Sequence, residues 1–195
     1  DKVKNQVLKY LYNQKLFGIK YHSDLNINFY SSCDFALPNS LEELKKSVTN
    51  CYLCDLSKTR KHTLFGYGSQ NSKIMFICDE PSKSEDDLGS FFVGNSGDML
   101  AKMIEGSLKI KKEEVYTTNL VKCRGTKEAS FQNFESCNCY LLKQIEVIKP
   151  KIIVAVGERV HDYLLTNSGD FLKNRGKVLS FNSAILVPIF SPLFL

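Results

Sequence analysis

Four short apolar runs, Ile74 to Cys78, Val115 to Thr118, Ile152 to Val156 and Ala184 to Ile189, limit what this chain can fold into more than any other feature. Each has the length and composition of a strand buried on both faces. Between them lie helical spacings: Met99, Met103 and Ile104 in one, Tyr140 to Ile148 in another, and Val160, Tyr163 and Leu164 in a third. Strand alternating with helix predicts an α/β fold: a three-layer αβα sandwich around a four-stranded, mainly parallel sheet. Its functional side chains should sit in loops at the carboxyl ends of the strands. Upstream, Ser40 with Glu43 three positions on has the pattern of a capping box, heading a helix through Leu41, Leu44 and Val48. Residues 1–40 read as an extension and linker, with helical spacing at Val3, Val7, Leu8 and Leu11, and residues 41–195 as one domain. At 195 residues and 43% hydrophobic content, the chain is long enough to close one sizeable core.

Cysteine usage adds a second constraint. The chain has seven cysteines, an odd count, and no amino-terminal apolar segment, which speaks against a secreted disulfide framework and for a cytoplasmic setting. No segment has the length needed to span a membrane. Cys51 and Cys54 form a C-x-x-C pair, while Cys123 and Cys137 lie far downstream. A zinc ribbon supplies two close pairs, whereas a [4Fe–4S] cluster accepts widely separated thiolates. The spacing therefore favours an iron–sulfur cluster over a zinc-stabilised interaction module. The plainer alternative is a set of buried thiols packing as small hydrophobes. Cys139 competes with Cys137 for the fourth position, because both fall within one helical turn. A net charge of +5 permits a polyanionic partner without selecting one.

The strand ends carry polar groups. After the first run comes an acidic stretch, Asp79 to Asp87, then Gly89-Ser90-Phe91-Phe92-Val93-Gly94-Asn95-Ser96-Gly97; after the second come Asn119 and Lys122-Cys123-Arg124. The third is followed by Gly157-Glu158-Arg159, and the fourth leads into Phe190-Ser191-Pro192-Leu193. Acidic loops are most often merely solvated, but glycines let backbone approach a ligand. An amide such as Asn119 donates and accepts at once, which suits a planar base edge.

In order and spacing these segments resemble the family-4 uracil-DNA glycosylases, the iron–sulfur branch of the uracil-DNA glycosylase superfamily, from about Cys51 to the end. Phe65-Gly66-Tyr67-Gly68 matches F-G-x-G, and Cys78-Asp79-Glu80-Pro81-Ser82 followed by Glu85-Asp86 matches G-E-x-P-G and E-D. Gly89 to Gly97 matches G-x-P-F-V-G-x-A-G. Val115 to Arg124 matches V-Y-x-T-N-x-V-K-C-R, with Gly125 where proline is expected. Cys137 to Ile145 matches C-x-P-Y-L-x-R-Q-I, a register that makes Cys137 the fourth ligand and puts Cys139 at the proline position.

The resemblance implies a uracil-DNA glycosylase-like fold that flips uracil out of DNA and hydrolyses its N-glycosidic bond, acting as a monomer on uracil-containing DNA. It implies a [4Fe–4S] cluster on Cys51, Cys54, Cys123 and Cys137, with a structural role that holds Lys122 and Arg124 for DNA phosphate. Phe92 would stack on the base, Asn119 would read it, and the backbone at Glu80 would contact it. Asp79 or Glu85 would position water or stabilise the sugar cation. Ser191 stands where the family has the histidine of H-P-S, and Asp79 where it has glutamate. Those two changes frame an alternative, a catalytically weakened member that binds uracil or abasic DNA. None of the three histidines is an obvious replacement; His62 falls in the basic segment Lys58 to His62, and His161 fits a helix surface.

Overall fold

The computed structural model describes residues 37–165 and 169–194. The expected amino-terminal helix at Val3 to Leu11 lies outside the described residues.

The four apolar runs all form strands. We label the strands β1 (Tyr67–Gly68), β2 (Ile74–Cys78), β3 (Tyr116–Asn119), β4 (Ile152–Val156), β5 (Leu179–Phe181) and β6 (Ala184–Ile189). The sheet order is β1-β3-β2-β4-β6-β5. The inner four strands, β3, β2, β4 and β6, are parallel, with Phe76 paired to Thr117 and to Val154, and Val154 in turn to Val187. The sheet is wider than the four strands expected. Short antiparallel strands flank it at both edges, β1 on β3 and β5 on β6. These two- and three-residue strands carry no apolar run, because an edge strand needs only a ladder partner, not burial on both faces.

Alternation within the strands sorts side chains into two cores. Met75, Ile77, Ile153, Ala155 and Leu186 face one side with Leu44, Val48, Phe134, Leu141 and Val160. Phe76, Val115, Val154 and Val156 face the other with Phe92, Leu100 and Ile104. The first side is covered by α1 (Leu41–Thr49), α4 (Phe131–Ile148) and α5 (Glu158–Leu164), and the second by α3 (Gly94–Lys102), which runs into a π-helical turn at Met103–Ser107. This is the three-layer arrangement that two-sided apolar strands require.

Three local expectations change. Ser40 starts α1 without a side-chain cap, so the S-x-x-E pattern at Ser40 and Glu43 forms no capping box. The box forms instead at Ser82 and Glu85, heading α2 (Lys83–Leu88) within the stretch read as an acidic loop. His161, expected on a helix surface, is fully buried. Its Nδ1 lies 2.7 Å from Asp162 and its Nε2 3.1 Å from the Asn174 amide of α6 (Phe171–Asn174), so it ties two helices together.

Behind β3, on the α4 side, runs a buried polar network. The Thr118 hydroxyl reaches the Phe65 carbonyl (2.8 Å) and Gln144 Oε1 (3.2 Å), and Gln144 Nε2 donates to the Phe65 carbonyl and to the Tyr116 hydroxyl. Lys122, also fully buried, donates from Nζ to Thr118 Oγ1 at 2.7 Å and to the Asn119 carbonyl at 2.6 Å. Buried polar groups are tolerated when every partner is present, and removing one strands the others. Thr118→Val should therefore lower unfolding free energy by about 1–3 kcal/mol, read as a smaller urea midpoint with an unchanged m-value.

Candidate active site

The carboxyl ends of the parallel strands converge on one cavity of about 290 Å³. Each inner strand contributes: Cys78 and Asp79 from the end of β2, Thr117 and Asn119 from β3, Val156 from β4, and Ser191 just after β6. Two backbone bonds lock the β2 and β3 exits together, Leu120 N–H to the Cys78 carbonyl and Val121 N–H to the Asp79 carbonyl. All six pocket residues expected from sequence, Asp79, Glu80, Glu85, Phe92, Asn119 and Ser191, line this cavity.

The loop from β2 to α3 is built to hold Phe92 in an unusual conformation. Phe92 has φ +60°, a left-handed value uncommon for a bulky residue. Two contacts hold it there. Glu85 Oε1 accepts from the Phe92 N–H at 3.3 Å while Oε2 accepts from the Ser82 N–H at 2.9 Å. Gly97, in the first turn of α3, packs so closely that an added Cβ would lie 2.7 Å from the Phe92 carbonyl carbon. The ring also meets Tyr67 edge-on at 5.4 Å. The loop is further anchored by Asp86, nearly buried, whose carboxylate accepts from the Lys61 and His62 N–H groups, while His62 Nδ1 donates to the Asp86 carbonyl.

The carboxylates in the cavity are not equivalent. Glu80 is largely buried, accepting from Ala129 N–H at 2.6 Å and pairing with Arg124 at 2.9 Å. Burial raises its pKa, an effect the Ala129 bond and Arg124 oppose. Both Glu85 oxygens are committed to backbone N–H groups. Asp79 remains partly exposed at the mouth, where Arg159 Nη1 lies 3.3 Å from Oδ2. The same Arg159 bonds Glu128 at 3.1 Å, reaches the Ala129 carbonyl and stacks over Phe134. Asn119 is buried, and its Nδ2 has no hydrogen-bond partner.

Two residues reach roles that sequence reasoning did not foresee. Lys122, expected to face DNA phosphate, is buried against β3, because its position after the strand turns it under Asn119 and burial lowers its pKa to about 8. Arg159, passed over as part of a strand-to-helix turn, bridges Asp79 and Glu128. The Ser82 to Glu85 box was legible as S-x-x-E, and it would have flagged Glu85 as a backbone clamp.

The thiols form a second centre. No three His, Cys, Asp or Glu side chains among the described residues stand as a group ready to hold a single metal ion. Yet Cys51, Cys54, Cys123 and Cys137 are free thiols. Burial raises Cys137 to about 12, with Cys123 and Cys51 adding to the effect. Burial also raises Cys123, again with help from Cys54 and Cys51, against the opposing pull of Arg60. N–H and O–H donors already point at the sulfurs: Arg60 Nη1 lies 3.1 Å from Cys123, Leu53 N–H 3.5 Å from Cys51, and the Tyr140 hydroxyl bonds Cys51. Cys139 is disulfide-bonded, so it does not contend for the fourth position. Four soft donors, three of them already hydrogen-bonded, have the chemistry that an iron–sulfur core takes.

Together the parallel sheet and the pocket at its carboxyl edge, with a left-handed aromatic and a buried amide both in its lining, define an α/β protein with a cavity at its strand ends. The comparisons agree with that class. Residues 65–195 match the model of the uracil DNA glycosylase superfamily. Similar curated proteins include the type-4 uracil-DNA glycosylases of Sulfurisphaera tokodaii (34% identity over 142 residues, 72% of this chain and 64% of that one) and Saccharolobus solfataricus (35%, 72% and 66%). That of Thermotoga maritima is 30% identical over 159 residues, covering 80% of this chain and 82% of its own. The chain belongs to the uracil-DNA glycosylase superfamily, in its type-4 branch. It spans a little under two thirds of the length of the Sulfurisphaera and Saccharolobus relatives.

Replacing Gly97 with alanine forces its methyl against the Phe92 backbone. The expected cost is about 1–3 kcal/mol of stability by chemical denaturation, as for other overpacked sites.

Proposed function

We propose that this chain, through a domain running from residue 41 onward, hydrolyses the N-glycosidic bond of uracil in DNA and leaves an abasic site. The observation that carries this reading is the meeting of Phe92 and Asn119 in one cavity, with the Asn119 amide buried and its Nδ2 unpartnered. A buried donor without a partner is costly unless a ligand completes it. Uracil does so: Asn119 accepts from N3–H and donates to O4, while the Phe92 ring covers the base face, a stacking contact of about 1–3 kcal/mol. Cytosine reverses both groups at that edge and leaves them unpaired. Leu193, exposed at the cavity, and the exposed Phe194 that follows it supply an apolar tip suited to the gap an extruded base leaves in the stack.

Bond cleavage develops positive charge on the sugar and negative charge on the departing base. Asp79, partly exposed and steered by Arg159, is placed to orient water and stabilise the sugar cation. Glu85 serves the reaction indirectly, holding Phe92 and the Glu80 backbone in place through the Ser82 and Phe92 N–H groups. Ser191 offers the leaving base one hydroxyl donor, without the positive charge or reach of a histidine. Loss of an oxyanion-type donor costs roughly a hundred- to a thousand-fold in rate. That serine favours a second reading, a slow or inactive member that binds uracil or abasic DNA.

Cys51, Cys54, Cys123 and Cys137 are the residues that would hold a [4Fe–4S] cluster. When bound, it would supply a rigid cross-link among three distant segments and no chemistry on the glycosidic bond. Arg124, tied to Glu80 and the Pro81 carbonyl and lining the cavity, would then be the residue held for DNA phosphate, in place of Lys122. No helix among the described residues is long and apolar enough to cross a membrane. A cytoplasmic monomer acting on DNA is the simplest form of this proposal.

Two experiments test it. Incubation with uracil-containing oligonucleotides should yield alkali-labile abasic sites, absent with cytosine controls, and Ser191→His should raise the rate by about a hundredfold. Inactivity of both proteins, together with tight binding to uracil DNA, would favour the binding module. Anaerobically purified protein should be brown, with about four iron and four sulfide per chain, and Cys137→Ser should lose the colour. A colourless protein with stoichiometric zinc would overturn the cluster assignment.

A further inference from the structure

The cavity contains a polar group for which the proposed reaction has no task. Thr117 is 1% exposed, lines the cavity, and its Oγ1 has no hydrogen-bond partner. Strand alternation puts Thr117 and Asn119 on the same face of β3, together with Val115, while Thr118 points the other way into the Phe65 and Gln144 network. Two residues of strand place Thr117 about 6–7 Å farther from the carboxyl edge than Asn119, toward the floor of the cavity. A Thr hydroxyl buried without a partner, beside an Asn amide in the same condition, marks a ligand edge longer than one amide can cover.

We propose that Thr117 is a further base-binding residue whose hydroxyl donates to the 4-carbonyl of the bound pyrimidine; this rests on the uracil reading above. The sugar stays at the mouth, so C4, the ring atom opposite N1, points inward. Its oxygen has two lone pairs. Asn119 takes the one on the N3 side, and the second, on the C5 side, faces the deeper position that Thr117 occupies. The pair of donors fixes both the depth and the in-plane orientation of the base. Because a hydroxyl can also accept, Thr117 strengthens 4-carbonyl binding while rejection of cytosine rests on Asn119.

The test uses equilibrium binding, so that turnover is not required. Oligonucleotides carry 2′-fluoro-2′-deoxyuridine, its 4-thio analogue, or a tetrahydrofuran abasic analogue, and fluorescence anisotropy reads affinity. Thr117→Val should weaken binding of the fluorouridine strand about five- to tenfold, the worth of one neutral hydrogen bond. It should leave the abasic strand unchanged, and Thr117→Ser should stay within about twofold of wild type for both. The 4-thio strand, whose sulfur is a poor acceptor, should bind wild type more weakly and Thr117→Val no worse than wild type. Thr117→Ala is the second hydroxyl-free variant, and melting temperatures confirm folding. Full uracil affinity in both hydroxyl-free variants overturns the proposal, as does an equal 4-thio penalty in wild type and variant. If wild type itself fails to prefer the fluorouridine strand over a matched deoxycytidine strand, the uracil reading has failed and this inference falls with it, a result visible before any variant is compared.

Discussion

The buried ammonium of Lys122 is the contact on which the site most depends. A lysine enters a protein interior only where its donors are met, and here Thr118 and the main-chain carbonyl of Asn119 meet them. The consequence is positional. Asn119 is the last residue of β3, where a strand would ordinarily release its final residue to solvent. Lys122 instead curls back and pins that carbonyl from below, while Leu120 and Val121 tie the same turn to β2. The amide side chain is thereby aimed into the cavity from a fixed backbone. Because Lys122 also sits next to Cys123 and senses Cys137, the thiol centre and the cavity share one structural support.

Opposite this support, the loop between β2 and α3 carries the strain of the site. Phe92 is held at a left-handed φ by Glu85 on one side and by the bare backbone of Gly97 on the other. Strain of this kind persists only where the surroundings over-determine it. The aromatic face is therefore in place before any ligand arrives, and little ordering cost remains at the moment of binding. The two walls of the cavity are thus preorganised by different means, one by a buried charge and the other by a clamped turn.

Much of this architecture was legible in the chain. The four inner strands were readable because burial on both faces demands continuous apolar residues, and their helix-separated order implied parallel pairing. The edge strands β1 and β5 were not, since two or three residues on a ladder leave no periodic signal. The six residues expected from ordered motifs all line the cavity, though Thr117 beside them was not among those expected. Among the side chains, what went astray concerned direction. Lys122 looked like a phosphate contact because charge in a sequence suggests exposure, and His161 looked like a surface residue because a short helix gives little period to measure. Glu85 was recognised as a site residue, but its two backbone partners depend on how the loop folds over it.

The sequence alone determined the four inner strands, the likeness to the uracil-DNA glycosylase superfamily, and the cast of residues at the strand ends, because hydrophobic period and motif spacing are local properties. Only the tertiary structure decided which polar groups are spent and which are left over. Whether a carboxylate is free or clamped, and whether a hydroxyl on β3 has a partner, depends on neighbours up to eighty residues away in the chain. Those neighbours are brought into reach by packing, and packing leaves no mark at any single position of the sequence.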